Sequence, residues 1–86
     1  MRLDKFLQVT GFFRRTAAKE ACEEGKVLVD QMPARPAKEV AAGQMIDIEA
    51  GRRRLLVEVL QVPIGNVARD NRSQFIRIAE EKDRGE

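Results

Sequence analysis

Five cations near the start of the chain are the residues best placed to do chemistry. Arg2 and Lys5 stand one helical turn apart, Arg14 and Arg15 are adjacent, and Lys19 follows Arg15 by four positions. Guanidinium groups grip phosphate oxygens two at a time, and an ammonium group adds a point charge. The chemistry open to this set is polyanion binding rather than bond making. The competing reading is a solvated surface, with Lys5 reaching Asp4 or Gln8 and with Arg15 and Lys19 in water. Arg35 and Lys38 repeat the theme farther along, either extending the same ledge or serving as edge-strand charges that discourage aggregation. Arg52, Arg53 and Arg54 cluster after Gly51 and either meet a second phosphate track or solubilise a turn.

Catalysis has few candidates. The chain contains no His, Trp or Tyr and a single Cys. Imidazole acid–base chemistry, His-bearing triads and Cys/His zinc sites are thereby excluded. A lone cysteine forms no internal disulfide and fits a reducing compartment. Asp4, between Arg2 and Lys5, reads as an orienting partner or a helix-start charge rather than a catalytic acid. Glu20, Glu23 and Glu24 read as a solvated helix face, because a hard cation needs more converging oxygens. No catalytic residue, metal or cofactor is expected. The aromatic residues are Phe6, Phe12, Phe13 and Phe75, with no row on which bases could stack. Recognition of a folded polyanion by shape and phosphate is favoured over readout of single strands by base stacking.

The elements that must position these residues follow from periodicity. Leu3, Phe6 and Leu7 fall at i, i+3 and i+4, one face of a short helix over residues 2–9 that Gly11 ends. Phe12 and Phe13 lie in the connection and seal the core. Ala17, Ala18, Ala21 and Cys22 form a stripe of small side chains on a second helix over residues 15–24, with Arg15 or Thr16 near its N-cap and Gly25 at C′. Cys22 on that stripe reads as a buried, inert thiol. The period then changes. Val27–Val29 predicts a strand, Asp30-Gln31 a tight turn, and Pro33 to Pro36 an extended edge piece. Met45–Glu49 alternates as a half-buried strand, residues 55–62 give the longest strand signal, and Pro63, Gly65 and Asn66 break it. Residues 67–74 read as a polar loop and residues 75–78 as a last strand. The sum is an α+β fold, with two N-terminal helices packed on a small, curled, mainly antiparallel sheet.

Eighty-six residues, 43 % hydrophobic and 35 % charged, suit one folded domain. The net charge is +2, and residues 80–86 hold four acids and two bases. A basic body over residues 1–79 with a charged tail over residues 80–86 is expected, and it suggests a polyanion partner. No apolar run approaches the roughly 20 residues of a membrane span. The opening residues carry an acid at once and lack the apolar core of a signal peptide, so the expected location is the cytosol.

Arg2-Leu3-Asp4-Lys5-Phe6-Leu7, then Arg14-Arg15-Thr16-Ala17-Ala18-Lys19, then Gly25-Lys26-Val27-Leu28-Val29 occur in an order that resembles the S4 RNA-binding domain, also called the alpha-L motif. The pattern continues through Arg35-Pro36-Ala37, Val40, Gly43 and residues 45–48, so the resemblance covers about residues 2–49. The chain departs from it at Asp30-Gln31, where the family often has Asn-Gly, and at Ala37 and Gln44. Among small proteins built on this module, the similarity is greatest to bacterial ribosome quality-control factors. The resemblance implies RNA binding through Arg2, Lys5, Arg14, Arg15, Lys19, Arg35 and Lys38. It implies large-subunit rRNA and peptidyl-tRNA as partners, an alanine-tailing factor acting on the same stalled particle, and a ribosome-associated monomer without membrane contact. Three alternatives stand beside it. One is a heat-shock recycling protein of the same module, which moves the tRNA. Another is a protein–protein module using residues 55–62. The third is an enzyme fragment, since similar modules end pseudouridine synthases and tyrosyl-tRNA synthetases; no catalytic domain is expected here.

Overall fold

In the computed structural model the described residues are 1–64 and 72–83, apart from the side chains of Arg15, Arg72 and Asp83. Helix α1 spans Leu3–Val9, and its apolar face of Leu3, Phe6 and Leu7 is fully buried. The Thr10 hydroxyl closes the last turn by donating to the Phe6 carbonyl at 2.6 Å, which satisfies the one buried polar side chain among the described residues. Gly11 follows at φ 83°, a conformation that β-carbon-bearing residues avoid, and it breaks the helix. Phe12 and Phe13 turn back to pack, half-buried, on the core.

Helix α2 spans Arg15–Glu23. Ala18, Ala21 and Cys22 are buried while Glu20, Glu23 and Glu24 are exposed, as the small-residue stripe predicts. The N-cap is Arg14, one residue earlier than the sequence suggests, because the Arg14 carbonyl already accepts the Ala18 N–H at 2.8 Å. With no bulky side chain on that stripe, α2 lies close against its neighbours.

The strands are β1 (Val27–Val29), β2 (Met32–Pro33), β3 (Met45–Ala50), β4 (Arg53–Val59) and β5 (Ile76–Asp83), with a one-turn helix α3 (Arg72–Phe75) before the last. They form one sheet in the order β2-β1-β3-β4-β5, and every neighbouring pair is antiparallel. Val27, Val29, Ile46, Ile48, Leu55, Val57, Val59 and Ile76 line its inner face and join the helix residues in one core. The β1–β2 turn places both Asp30 (φ 50°) and Gln31 (φ 70°) in the left-handed region, the backbone of a type I′ hairpin without its usual glycine. Asp30 is held there by its side chain, which accepts the Met45 N–H at 3.0 Å.

Both ends of the last two strands differ from the sequence reading. β4 starts at Arg53 and ends at Val59, short of Val62, because the next rung, the Leu60 N–H to the Phe75 carbonyl at 2.8 Å, already meets the end of α3 and no described strand residue lies beyond it. Phe75 belongs to α3, and β5 runs on through Asp83, beyond the Ile78 end. A register shift opposite Leu56 and Val57 leaves Ala79 as an extra residue and lets Glu80, Glu81 and Lys82 keep pairing with β4. The loop expected at residues 67–74 lies outside the described residues up to position 71. No helix among the described residues is long and apolar enough to cross a membrane.

Candidate nucleic-acid interface

The two N-terminal helices meet at a cleft of about 600 Å³, lined by Arg2, Asp4, Lys5 and Gln8 from α1 and its flank and by Thr16 and Lys19 from α2. The 3.6-residue period puts these positions opposite the buried faces of both helices, so the same pattern that builds the core projects this polar set outward. Arg2, Lys5 and Lys19 are thus brought together. Arg14 is exposed at the α2 N-cap. Arg15 opens α2, and its side chain lies outside the described residues.

The remaining two expected cations arrive by a backbone route. The turn at residues 35–38 is stitched to the start of α1. The Leu3 N–H donates to the Lys38 carbonyl at 2.8 Å and the Asp4 N–H to the Pro36 carbonyl at 3.1 Å, while the Val40 N–H donates to the Met1 carbonyl at 2.9 Å. These carbonyls satisfy helix donors for which Arg2 offers no side-chain cap. Arg35 and Lys38 therefore sit in a turn at the Arg2 end of the ledge. They are not edge-strand charges, since β2 stops at Pro33.

Pairing separates the ledge from the sheet. Arg54 donates from Nε and Nη2 to the two carboxylate oxygens of Asp47 at 2.9 and 3.0 Å, and this contact pushes its pKa still higher. Arg53 pairs with Glu81 at 3.2 Å and Arg77 with Glu58 at 2.8 Å. The three described strand arginines are committed to neighbours. By contrast, Lys5, Arg14, Lys19, Arg35 and Lys38 have no ion-pair partner among the described residues. Arg52 also lacks one, but it stands apart at the β3–β4 turn. Unpaired surface cations that share a concave face carry a standing attraction for an anion, whereas paired ones have spent theirs.

Arg2 is the exception on the ledge. Its Nη2 bonds Asp4 Oδ2 at 3.2 Å, and Asp4 Oδ1 accepts the Lys5 N–H at 2.8 Å. Asp4 thus fixes the guanidinium over the cleft and does not pair with the Lys5 ammonium. Sequence reasoning left Thr16 out of the site and gave Gln8 only a pairing role. Their signal was spacing: Gln8 lies four residues after Asp4, and Thr16 three before Lys19, each on the face of a ledge residue.

Reactive and metal-binding groups are not part of this surface. Burial, with lesser help from Asp4 and Glu23, pushes the Cys22 thiol up to about 11, so it stays protonated and inert near neutrality. No cluster of His, Cys, Asp and Glu suited to a metal occurs among the described residues.

The family model described as "S4 domain" matches residues 1–46. The chain is 32 % identical over 81 residues to the RQC P-site tRNA stabilizing factor of Streptococcus pneumoniae, covering 93 % of this chain and 92 % of that one. Heat Shock Protein 15 of Vibrio cholerae, solved as a trimer, superposes with a TM-score of 0.84 at 26 % identity, over 92 % of this chain and 81 % of that one. The solution structure of the hypothetical protein HP1423 gives a TM-score of 0.78 at 34 % identity, over 93 % and 98 % of the two chains.

Proposed function

This chain belongs to the S4 domain family, and on that premise we propose that it is a non-catalytic RNA-binding factor of ribosome quality control. It binds large ribosomal subunits obstructed by peptidyl-tRNA, contacts rRNA and tRNA together, and keeps the tRNA in place while a partner factor adds alanines to the stalled chain. Arg2, Lys5, Arg14, Arg15 and Lys19 hold phosphates, and Arg35 and Lys38 extend the contact. The protein acts as a monomer in the cytoplasm.

The observation that carries this reading is the division of cations. Lys5, Arg14, Lys19, Arg35 and Lys38 lack ion-pair partners among the described residues, and Arg2 shares only the Asp4 carboxylate beside it, while the strand arginines are neutralised by Asp47, Glu58 and Glu81. A small protein that turns one unneutralised face outward is suited to lie against a large polyanion. The name of the Streptococcus relative supports tRNA at the ribosomal P site as the partner. A second reading, recycling of the same particle by moving the tRNA, is favoured by the likeness to Heat Shock Protein 15.

Co-sedimentation with purified large subunits, with and without peptidyl-tRNA, tests the proposal. Binding should strengthen when peptidyl-tRNA is present, and the tRNA should stay in its original site. Displacement of the tRNA selects the recycling reading. Equal binding to large subunits, small subunits and heparin rejects both.

A further inference from the structure

Asp4 is an odd residue to find in a cleft that takes phosphates. Its side chain is only 20 % exposed, yet it lines the cleft together with Arg2, Lys5 and Lys19. A carboxylate repels a phosphate at contact distance. Its two oxygens spend one lone pair each, on the Arg2 guanidinium and on the Lys5 N–H, and an ionised carboxylate has about four acceptor sites. Gln8, one turn along α1 on the same cleft, is half-buried and adds an amide oxygen with no bond to any described residue. The α1 wall therefore offers a row of acceptors between cations. Acceptors need a donor, and on a sugar–phosphate backbone the 2′-hydroxyl of ribose is the only one.

We propose that Asp4 and Gln8 read the ribose 2′-hydroxyl, so that the cleft selects ribonucleotide backbone while Arg2, Lys5 and Lys19 hold the flanking phosphates. The assignment rests on the RNA-binding reading above and adds the feature by which RNA is chosen. Thr16, on the opposite wall, supplies a hydroxyl that can donate to a phosphate oxygen and so sets the spacing between phosphate and ribose. Lysine and arginine alone would bind any phosphodiester strand of suitable shape. The acceptor row removes that ambiguity.

The test compares a structured RNA hairpin with its all-2′-fluoro twin, which keeps the A-form shape and the phosphates but has no hydroxyl donor. The full chain should bind the RNA roughly three- to tenfold more tightly for each hydroxyl read. Gln8→Met, which keeps the side-chain volume and helix propensity but removes the amide, should draw the two affinities together. Lys19→Ala should weaken both and leave their ratio unchanged. Equal, tight binding of both hairpins by the parent chain overturns this assignment and leaves the RNA-binding reading intact. A preference that survives in both Gln8→Met and Asp4→Leu, each of which removes its acceptor, overturns the choice of residues. Weak binding of both hairpins overturns the RNA-binding reading and this assignment with it.

Discussion

The Leu3 N–H donates to the Lys38 carbonyl at 2.8 Å, so the first helix of the ledge is capped by a turn from beyond the first hairpin. That contact binds the turn's position to the position of Arg2. Arg35 and Lys38 are held beside the Arg2 end of the proposed anion-binding face for this reason, although they are distant in sequence from Lys5 and Lys19. Replacing both with Ala leaves the capping carbonyls in place and removes two charges. The slope of log K against log salt, expected at about −3 to −5 for the parent on RNA, should become shallower by about 1 to 2. An unchanged slope would show that this turn does not touch the polyanion.

The small-residue face of α2 sets a packing limit. Ala21 is 4 % exposed, and a leucine there should overpack the core at a cost of about 1–3 kcal/mol. Glu23→Ala, on the exposed face, should change stability by less than about 0.5 kcal/mol. Urea unfolding monitored by circular dichroism measures both, and similar small effects would mean that α2 is rotated from the orientation described.

Gln31 occupies a left-handed conformation at φ 70° with no glycine to relieve it. Gln31→Gly should therefore stabilise the fold by about 1 kcal/mol, against the usual destabilising effect of glycine. Asp30→Gly should not, because it also removes the acceptor of the Met45 N–H. Denaturant midpoints of the two variants separate these outcomes.

Burial raises the Cys22 thiol from 9.0 to about 11. The folded state then favours the protonated thiol, so this contribution to stability is full below pH 9 and is lost as the pH rises toward 11. Alkylation by iodoacetamide at pH 8 should be slow in the native protein and fast in urea. In Cys22→Ala, the part of the stability loss between pH 9 and pH 11 that arises from this thiol should disappear.

Much of this was legible in the sequence, for reasons that can be traced residue by residue. Leu3, Phe6 and Leu7 at helical spacing, the alanines around Cys22, and the change of period at Val27 each carry a local signature, and the elements follow it. Arg2 and Lys5 share a face because helical geometry alone requires it, and the packing of α2 on α1 brings Lys19 to them. The cap that joins residues 36 and 38 to α1 was hidden, because it is made of backbone groups and leaves no mark on side-chain type. The roles of Arg53 and Arg54 were hidden as well. Their partners, Asp47 on β3 and Glu81 on β5, are chosen by strand register, and the bulge at Ala79 shifts the β5 register without a glycine or proline to announce it. Gln8 and Thr16 escaped because neutral polar residues on a charged helix face look like ordinary solvated positions.

The division between ledge cations turned to the cleft, of which Arg2 alone shares a carboxylate among those described, and sheet arginines paired across the strands is the central claim, and one binding measurement bears on it most directly. Arg2→Ala, Lys19→Ala and Arg53→Ala, each shown to be folded, are sedimented with large ribosomal subunits carrying peptidyl-tRNA. Lys19→Ala should lose roughly tenfold in affinity, the scale of one charge-assisted contact. Arg2→Ala should lose more, because it also leaves the Asp4 carboxylate uncompensated in the cleft. Arg53→Ala should bind like the parent, since Glu81 already neutralises that charge. Parent-like binding by Arg2→Ala and Lys19→Ala, with a loss confined to Arg53→Ala, would contradict the account.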